Sequence, residues 1–166
     1  MRQSNKTVYF LAYGAAIGAL YVVLTLVFAP ISFGPIQFRI SEALCILPYF
    51  TPAAVPGVFI GCLLSNLLCG AAPLDVVFGS LATLLGALGS LAAARRSKWL
   101  VCLPPILSNT LIIPWVLRFA YGAEEMILFS MVTVGIGEIL AIGLLGTLLL
   151  VTLERYKNQV FRQMAA

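Results

Sequence analysis

Phe33-Gly-Pro-Ile-Gln-Phe-Arg-Ile-Ser-Glu42 interrupts a chain that otherwise consists largely of long apolar runs. A Gly34-Pro35 turn leads into Gln37, Arg39, Ser41 and Glu42, four polar side chains within six residues. If Ile40 onward is helical, Arg39 and Glu42 stand three apart and share a face. Polar groups this close to hydrocarbon are costly, so they are expected to bind something or to pair with one another. The plainer alternative is a membrane-surface loop carrying one solvated ion pair. The apolar runs on either side decide the fold class.

Of the 166 residues, 61% are hydrophobic and 10% charged, and mean hydropathy is +1.05. A soluble domain of this size cannot hide so much apolar surface, so the sequence reads as an all-α integral membrane protein. The first apolar run is not followed by an Ala-x-Ala cleavage region, and a retained span is expected there rather than a signal peptide. Six apolar segments lie between polar, proline or glycine breaks, at about 8–29, 39–51, 53–71, 75–94, 99–118 and 126–153. They predict a six-transmembrane-helix bundle, a single membrane domain over residues 1–166. The second segment is short and bounded by Pro48, Pro52 and Pro56, so it is expected to be tilted, broken or only partly spanning.

Basic residues set the orientation. Arg2 and Lys6 precede the first segment, Arg95, Arg96 and Lys98 separate the fourth from the fifth, and Arg155, Lys157 and Arg162 follow the last. Six crossings put all three groups on one side, which the positive-inside rule makes cytoplasmic, with both termini there. The net charge of +4 follows from this bias and is no sign of nucleic-acid binding. Arg39, Glu42, Asp75, Arg118, Glu124 and Glu125 then fall on the outer side. Glu138 alone lies well inside a span, about 18 Å along the last helix at the usual rise. A polar, acidic outer half above a smooth apolar inner half suggests a cavity open to the outside, not a continuous ion pathway.

Several function classes drop out. No GxxxxGK[ST] loop is present, so this chain has no Walker site with which to use ATP. HExxH, GxSxG and histidine are all missing, and an enzyme is not expected. Cys45, Cys62, Cys69 and Cys102 lie in apolar runs without a CxxC pair, so packing is expected of them rather than metal binding or disulfides, and no cofactor is implied. The candidates that remain are Asn66, Asn109 and Glu138 within spans, together with Arg39, Glu42 and Trp115 on the outer half. They would furnish donors, acceptors and a stacking ring. Each could instead clamp two helices. A buried carboxylate such as Glu138 must be paired, hydrogen-bonded or protonated.

Span 1 carries Gly14/Gly18, Ala12/Ala16 and Ala15/Ala19, each pair four apart. Such spacing makes a smooth stripe on which another helix can lie closely, either inside the bundle or from a partner. Gly57/Gly61, Ala82/Gly86 and Gly143 with Gly146 are expected to pack internally.

The run Phe33-Gly-Pro-Ile-Gln-Phe-Arg-Ile-Ser-Glu-Ala-Leu44, then Leu47-Pro-Tyr-Phe-Thr-Pro52 and Asp75-Val-Val-Phe-Gly-Ser-Leu-Ala-Thr-Leu84, resembles the queuosine-precursor transporter (QueT) family. Members are S components of energy-coupling-factor (ECF) transporters, and the likeness extends over essentially the whole chain. It implies a subunit that captures substrate outside and docks on a transmembrane scaffold subunit carrying two cytoplasmic ATPases. It also implies toppling in the membrane, in the bacterial plasma membrane, with ATP used by the partners. The family's small-residue docking contact maps onto Ala15 and Ala19, with Ala12 and Ala16 as the adjacent alternative.

The implied substrate is a 7-deazaguanine base: 7-cyano-, 7-aminomethyl-7-deazaguanine or queuine. Its N1–H and 2-amino donors suit one carboxylate. Asn66, Asn109 or Arg39 could meet the 6-oxo group, and Trp115 or Phe38 could stack on the ring. Glu138 is expected to read the guanine-like edge and Glu42, braced by Arg39, the 7-substituent; the reverse assignment stays open. Residues 33–42, Gln37 among them, would form the lid and side wall. Other readings are a proton-coupled secondary transporter or channel using Glu138 or Asp75, an S component for biotin, riboflavin or a thiamin precursor, or a structural membrane subunit.

Overall fold

The computed structural model describes residues 2–32, 38–122 and 124–160. All its regular elements are helical. Helix α1 (Arg2–Val27) is followed by a short turn of helix, Ala29–Ser32. Next come α2 (Ile40–Tyr49), α3 (Ala54–Leu68) and α4 (Pro73–Ala93). A 3₁₀ turn, Lys98–Cys102, runs into α5 (Leu103–Ala120). The last described elements are α6 (Ile127–Glu138), a π-helical stretch Ile139–Gly146, and α7 (Thr147–Val160), joined without a break.

Among the described residues, four helices are long and apolar enough to cross a membrane: Lys6–Val27, Pro73–Ala93, Lys98–Ala120 and Ile127–Lys157. The other two apolar helices, α2 and α3, have 10 and 15 residues. At 3₁₀ and α rise they extend roughly 20 and 22 Å, less than the ~30 Å of a bilayer's hydrocarbon core. The segment expected at 39–51 is therefore a short helix, as its prolines suggest, and the one expected at 53–71 is shorter than its apolar run.

Helix α2 is the element around which the others pack. It is wound as a 3₁₀ helix, with Glu42 N–H donating to Arg39 C=O at 3.0 Å and Phe50 N–H to Leu47 C=O at 2.9 Å. Residues Ser41 through Pro48 are all buried. In a 3₁₀ helix residues three apart eclipse one another, which stacks Cys45 directly on Glu42. Its neighbours are α1, α3, α4 and the π-helical stretch. Gly146 admits that last contact, since a Cβ there would lie 3.2 Å from the Ile46 side chain and 3.5 Å from the Ala43 carbonyl.

Glycines set the two closest helix pairings. A Cβ on Gly57 would sit 2.7 Å from the Gly14 carbonyl, and one on Gly61 would sit 2.9 Å from the Gly18 carbonyl, so α1 and α3 meet backbone to backbone. On α4, Gly86 and Gly89 face Pro105 and Pro104 of α5 at 2.6 and 2.4 Å on the same construction. Ser90 Oγ donates to the Val101 carbonyl at 2.7 Å and ties the same two segments together. At the end carrying the basic residues, Lys98 Nζ lies 2.7 Å from Glu154 Oε2 and links the 3₁₀ turn before α5 to α7.

Candidate functional site

Helix ends and breaks place the polar groups. Helix α3 closes on Gly70, whose φ of 69° is open to glycine, and Ala71 N–H bonds the Asn66 carbonyl at 2.9 Å. That turn sets Asn66 against the first turn of α4, where its Nδ2 donates to the Asp75 carbonyl at 3.4 Å. Pro73 starts α4 at a position where the missing N–H costs nothing. In α5, Pro114 lacks the N–H that would close on the Thr110 carbonyl, so one helical hydrogen bond is missing beside Asn109 and Thr110. The π-helical stretch begins one residue after Glu138.

Most of the residues singled out by sequence converge in the interior. Arg39, Glu42, Asn66, Asn109 and Glu138 are all buried. Asn109 lies within hydrogen-bonding range of Glu138, and Glu138 in turn is close enough to Glu42 and Arg39 to feel their charges. Phe38 is partly buried against the core. Gln37 lies outside the described residues, as does the rest of the expected lid from Phe33 to Ile36. Trp115 is not brought to this cluster: it is 47% exposed and stacks on Phe119, with ring centroids 6.2 Å apart and planes 11° from parallel. The pitch of α5 turns Asn109 inward and Trp115 outward, a rotation that one sequence does not fix.

Glu42 is held from within. Its Oε1 accepts from the Tyr21 hydroxyl and from Thr83 Oγ1 at 3.1 Å, and its Oε2 accepts from Cys45 Sγ at 3.1 Å. Three donors fill most of a carboxylate's capacity of about four. Thr25 extends the network by bonding Ser41 at 2.7 Å. Cys62 sits beneath it, 3.4 Å from Thr83 Oγ1 and 3.7 Å from both Arg39 and Asn66 donors. The four cysteines are free, and Cys45 and Cys62 do more than fill space. Tyr21, Thr83 and Cys62 carried no signal in the sequence, since a lone hydroxyl or thiol in an apolar run reads as packing.

Two other groups are less saturated. Tyr121 Oη donates to Asp75 Oδ2 at 2.9 Å and accepts from the Ala72 N–H at 3.1 Å. Partial burial raises the Tyr121 pKa above its ordinary value, so this phenol stays a donor at neutral pH. Five buried side-chain oxygens lack a hydrogen-bond partner among the described residues: Asn66 Oδ1, Asp75 Oδ1, Asn109 Oδ1, Thr110 Oγ1 and Glu138 Oε2. Leaving such atoms unpaired is costly, at about 1–3 kcal/mol each. Four of the five are amide or carboxylate acceptors, so the interior calls for donors.

The alanine and glycine stripes of α1 separate cleanly. Gly14 and Gly18 face α3, whereas Ala12, Ala15, Ala16 and Ala19 are exposed. Among the described residues no group of three or more histidine, cysteine or acidic side chains is placed to hold a metal ion.

Comparison with known proteins gives the same family as the resemblance. A family model described as QueT transporter matches residues 11–155. The curated protein named queuosine precursor transporter QueT, from Lactococcus lactis subsp. cremoris (strain MG1363), is 44% identical over 73 residues, 43% of this chain and 43% of that protein. The aligned part is thus less than half the length of that relative. No solved structure gives a significant match. With its matched region running from α1 into α7 and its polar interior enclosed by those helices, the chain belongs to the QueT transporter family.

Proposed function

We propose that this protein is the substrate-binding S component of an ECF-type ATP-driven importer and captures a queuosine precursor, a 7-deazaguanine base, from outside the cell. Family membership and the name of the Lactococcus relative support the substrate class. The observation that carries the reading is the set of five buried side-chain oxygens without donors. A deazaguanine offers N1–H, the 2-amino group and the pyrrole N–H, and so supplies what these acceptors need. In this reading Glu138 and Asn109 hold the guanine-like edge, Asn66 meets a second donor, and Arg39 supplies a cation to the 6-oxo side.

The protein forms one membrane domain of six crossings in the bacterial plasma membrane. Its short second and third helices complete the bundle, and both termini are cytoplasmic. It binds no ATP; two partner ATPases supply the energy through a transmembrane scaffold subunit. That scaffold docks on the exposed face of α1 formed by Ala12, Ala15, Ala16 and Ala19. No chemical step occurs on the substrate, and nucleic acid has no part.

The buried carboxylates Asp75 and Glu138 favour one competing reading, a proton-coupled transporter working alone. Uptake of radiolabelled deazaguanine by cells separates the two. Dependence on co-expressed ATPase and scaffold subunits is the expected result. Uptake by this chain alone that collapses with the proton gradient would replace the proposal.

A further inference from the structure

The buried acidic groups around Arg39 outnumber it. Among the described residues four charged side chains are buried: Glu42 at 1% exposure, Asp75 at 2%, Glu138 at 5% and Arg39 at 6%. One guanidinium can pair with only one of three buried carboxyl groups, so the other two must be hydrogen-bonded, protonated or met by a bound ligand. Arg39 is within electrostatic reach of all three acids and can offset one of them.

The acids differ in what else they meet. Glu42 takes three donors from Tyr21, Thr83 and Cys45. Glu138 has Asn109 beside it. Asp75 has the Tyr121 hydroxyl on Oδ2 alone, and its buried Oδ1 faces no donor. Asn66, whose own Oδ1 is also without a donor, is fixed against the Asp75 backbone. Gly79 brings the two together: a Cβ there would lie 2.6 Å from Asp75 Oδ1 and 3.3 Å from Asn66 Nδ2. The Asn66 amide thus lies beside the Asp75 carboxylate, each with one oxygen that has no donor, on helices other than the α5 and α6 that carry Asn109 and Glu138.

We propose that Asp75, steadied by Tyr121 and flanked by Asn66, is a specificity-determining residue that binds a cationic substituent of the ligand. The site consequently prefers a base bearing an ammonium group over a neutral analogue. An ammonium carries three donors and one positive charge. Asp75 Oδ1 and Asn66 Oδ1, both without a donor, accept two of its hydrogen bonds, and its charge pairs with the Asp75 carboxylate. This gives Asp75 the place that sequence reasoning offered to Glu42, whose oxygens are already engaged. It rests on the deazaguanine reading and adds which form is favoured and which side chain decides it.

The test titrates the full-length purified protein with 7-aminomethyl-7-deazaguanine and with 7-cyano-7-deazaguanine, for the unchanged chain, Asp75→Asn and Tyr121→Phe. The unchanged protein should bind the aminomethyl base at least tenfold more tightly. Asp75→Asn should lose that preference by weakening the aminomethyl base while the cyano base binds as before. Tyr121→Phe, a milder change on an exposed ring, should reduce the same ratio and serves if Asp75→Asn does not fold. Equal loss for both bases, or an unchanged ratio in either folded variant, would overturn the assignment. If the unchanged protein binds neither base, the function proposed above falls and this inference falls with it. Binding of both bases with no preference refutes the inference alone.

Discussion

The phenol of Tyr21 on α1 donates a hydrogen bond to Oε1 of Glu42 on α2, and both side chains are sealed from solvent. A hydrogen bond to a buried carboxylate belongs to the stronger class, contributing about 1.5–3 kcal/mol. Tyr21→Phe should therefore lower stability by about that amount, read as thermal unfolding in detergent. Glu42→Gln removes the charge that makes the bond strong, so the double variant should cost less than the two single changes added. Full additivity would show that Tyr21 acts through packing alone.

The α1–α3 contact has no room for a side chain where Gly57 meets the Gly14 carbonyl at 2.7 Å from an added Cβ. Gly57→Ala should destabilise by about 1–3 kcal/mol, the usual range for overpacking. Ala12→Leu, on the exposed face of the same α1, should stay within about 0.5 kcal/mol. Comparable losses at both positions would mean that the two faces of α1 are not distinguished in this way.

Exposure of Ala15 and Ala19 gives the docking proposal its own test. Ala15→Trp or Ala19→Trp should abolish uptake while the purified protein still binds substrate. Co-purification of the scaffold subunit with either variant at unchanged yield would remove this face from the interface.

Trp115 offers a negative control. Its ring is exposed, unlike the buried polar cluster, and stacks on Phe119. Trp115→Ala should leave deazaguanine affinity unchanged in a binding assay. A tenfold loss would restore this ring as the stacking partner.

How much was legible in the sequence depended on contrast. Glu42, Asn66, Asn109 and Glu138 stood out because each is a polar residue within an apolar run, and the structure buries all of them. Tyr21 and Thr83, which hold Glu42, did not stand out, because either residue also suits a lipid-facing or packing position. In a membrane helix the inward and outward faces are both apolar, so the pattern does not reveal rotation about the axis. That is why Trp115 was expected inside, and why the glycines and alanines of α1 could not be assigned to opposite faces. The short α2 was foreshadowed by Pro48 and Pro52, but its 3₁₀ winding, which stacks Cys45 on Glu42, was not.

Buried acceptors led by Glu138 are proposed to bind a 7-deazaguanine in this interior. Calorimetric titration of the purified protein with 7-aminomethyl-7-deazaguanine, beside riboflavin and biotin, tests it most directly, repeated with Glu138→Gln. Saturable binding of the deazaguanine alone is the expected result, weakened about a hundredfold by the substitution, as loss of a charge-assisted bidentate contact implies. No binding of the deazaguanine, or undiminished affinity in a folded Glu138→Gln variant, would contradict it.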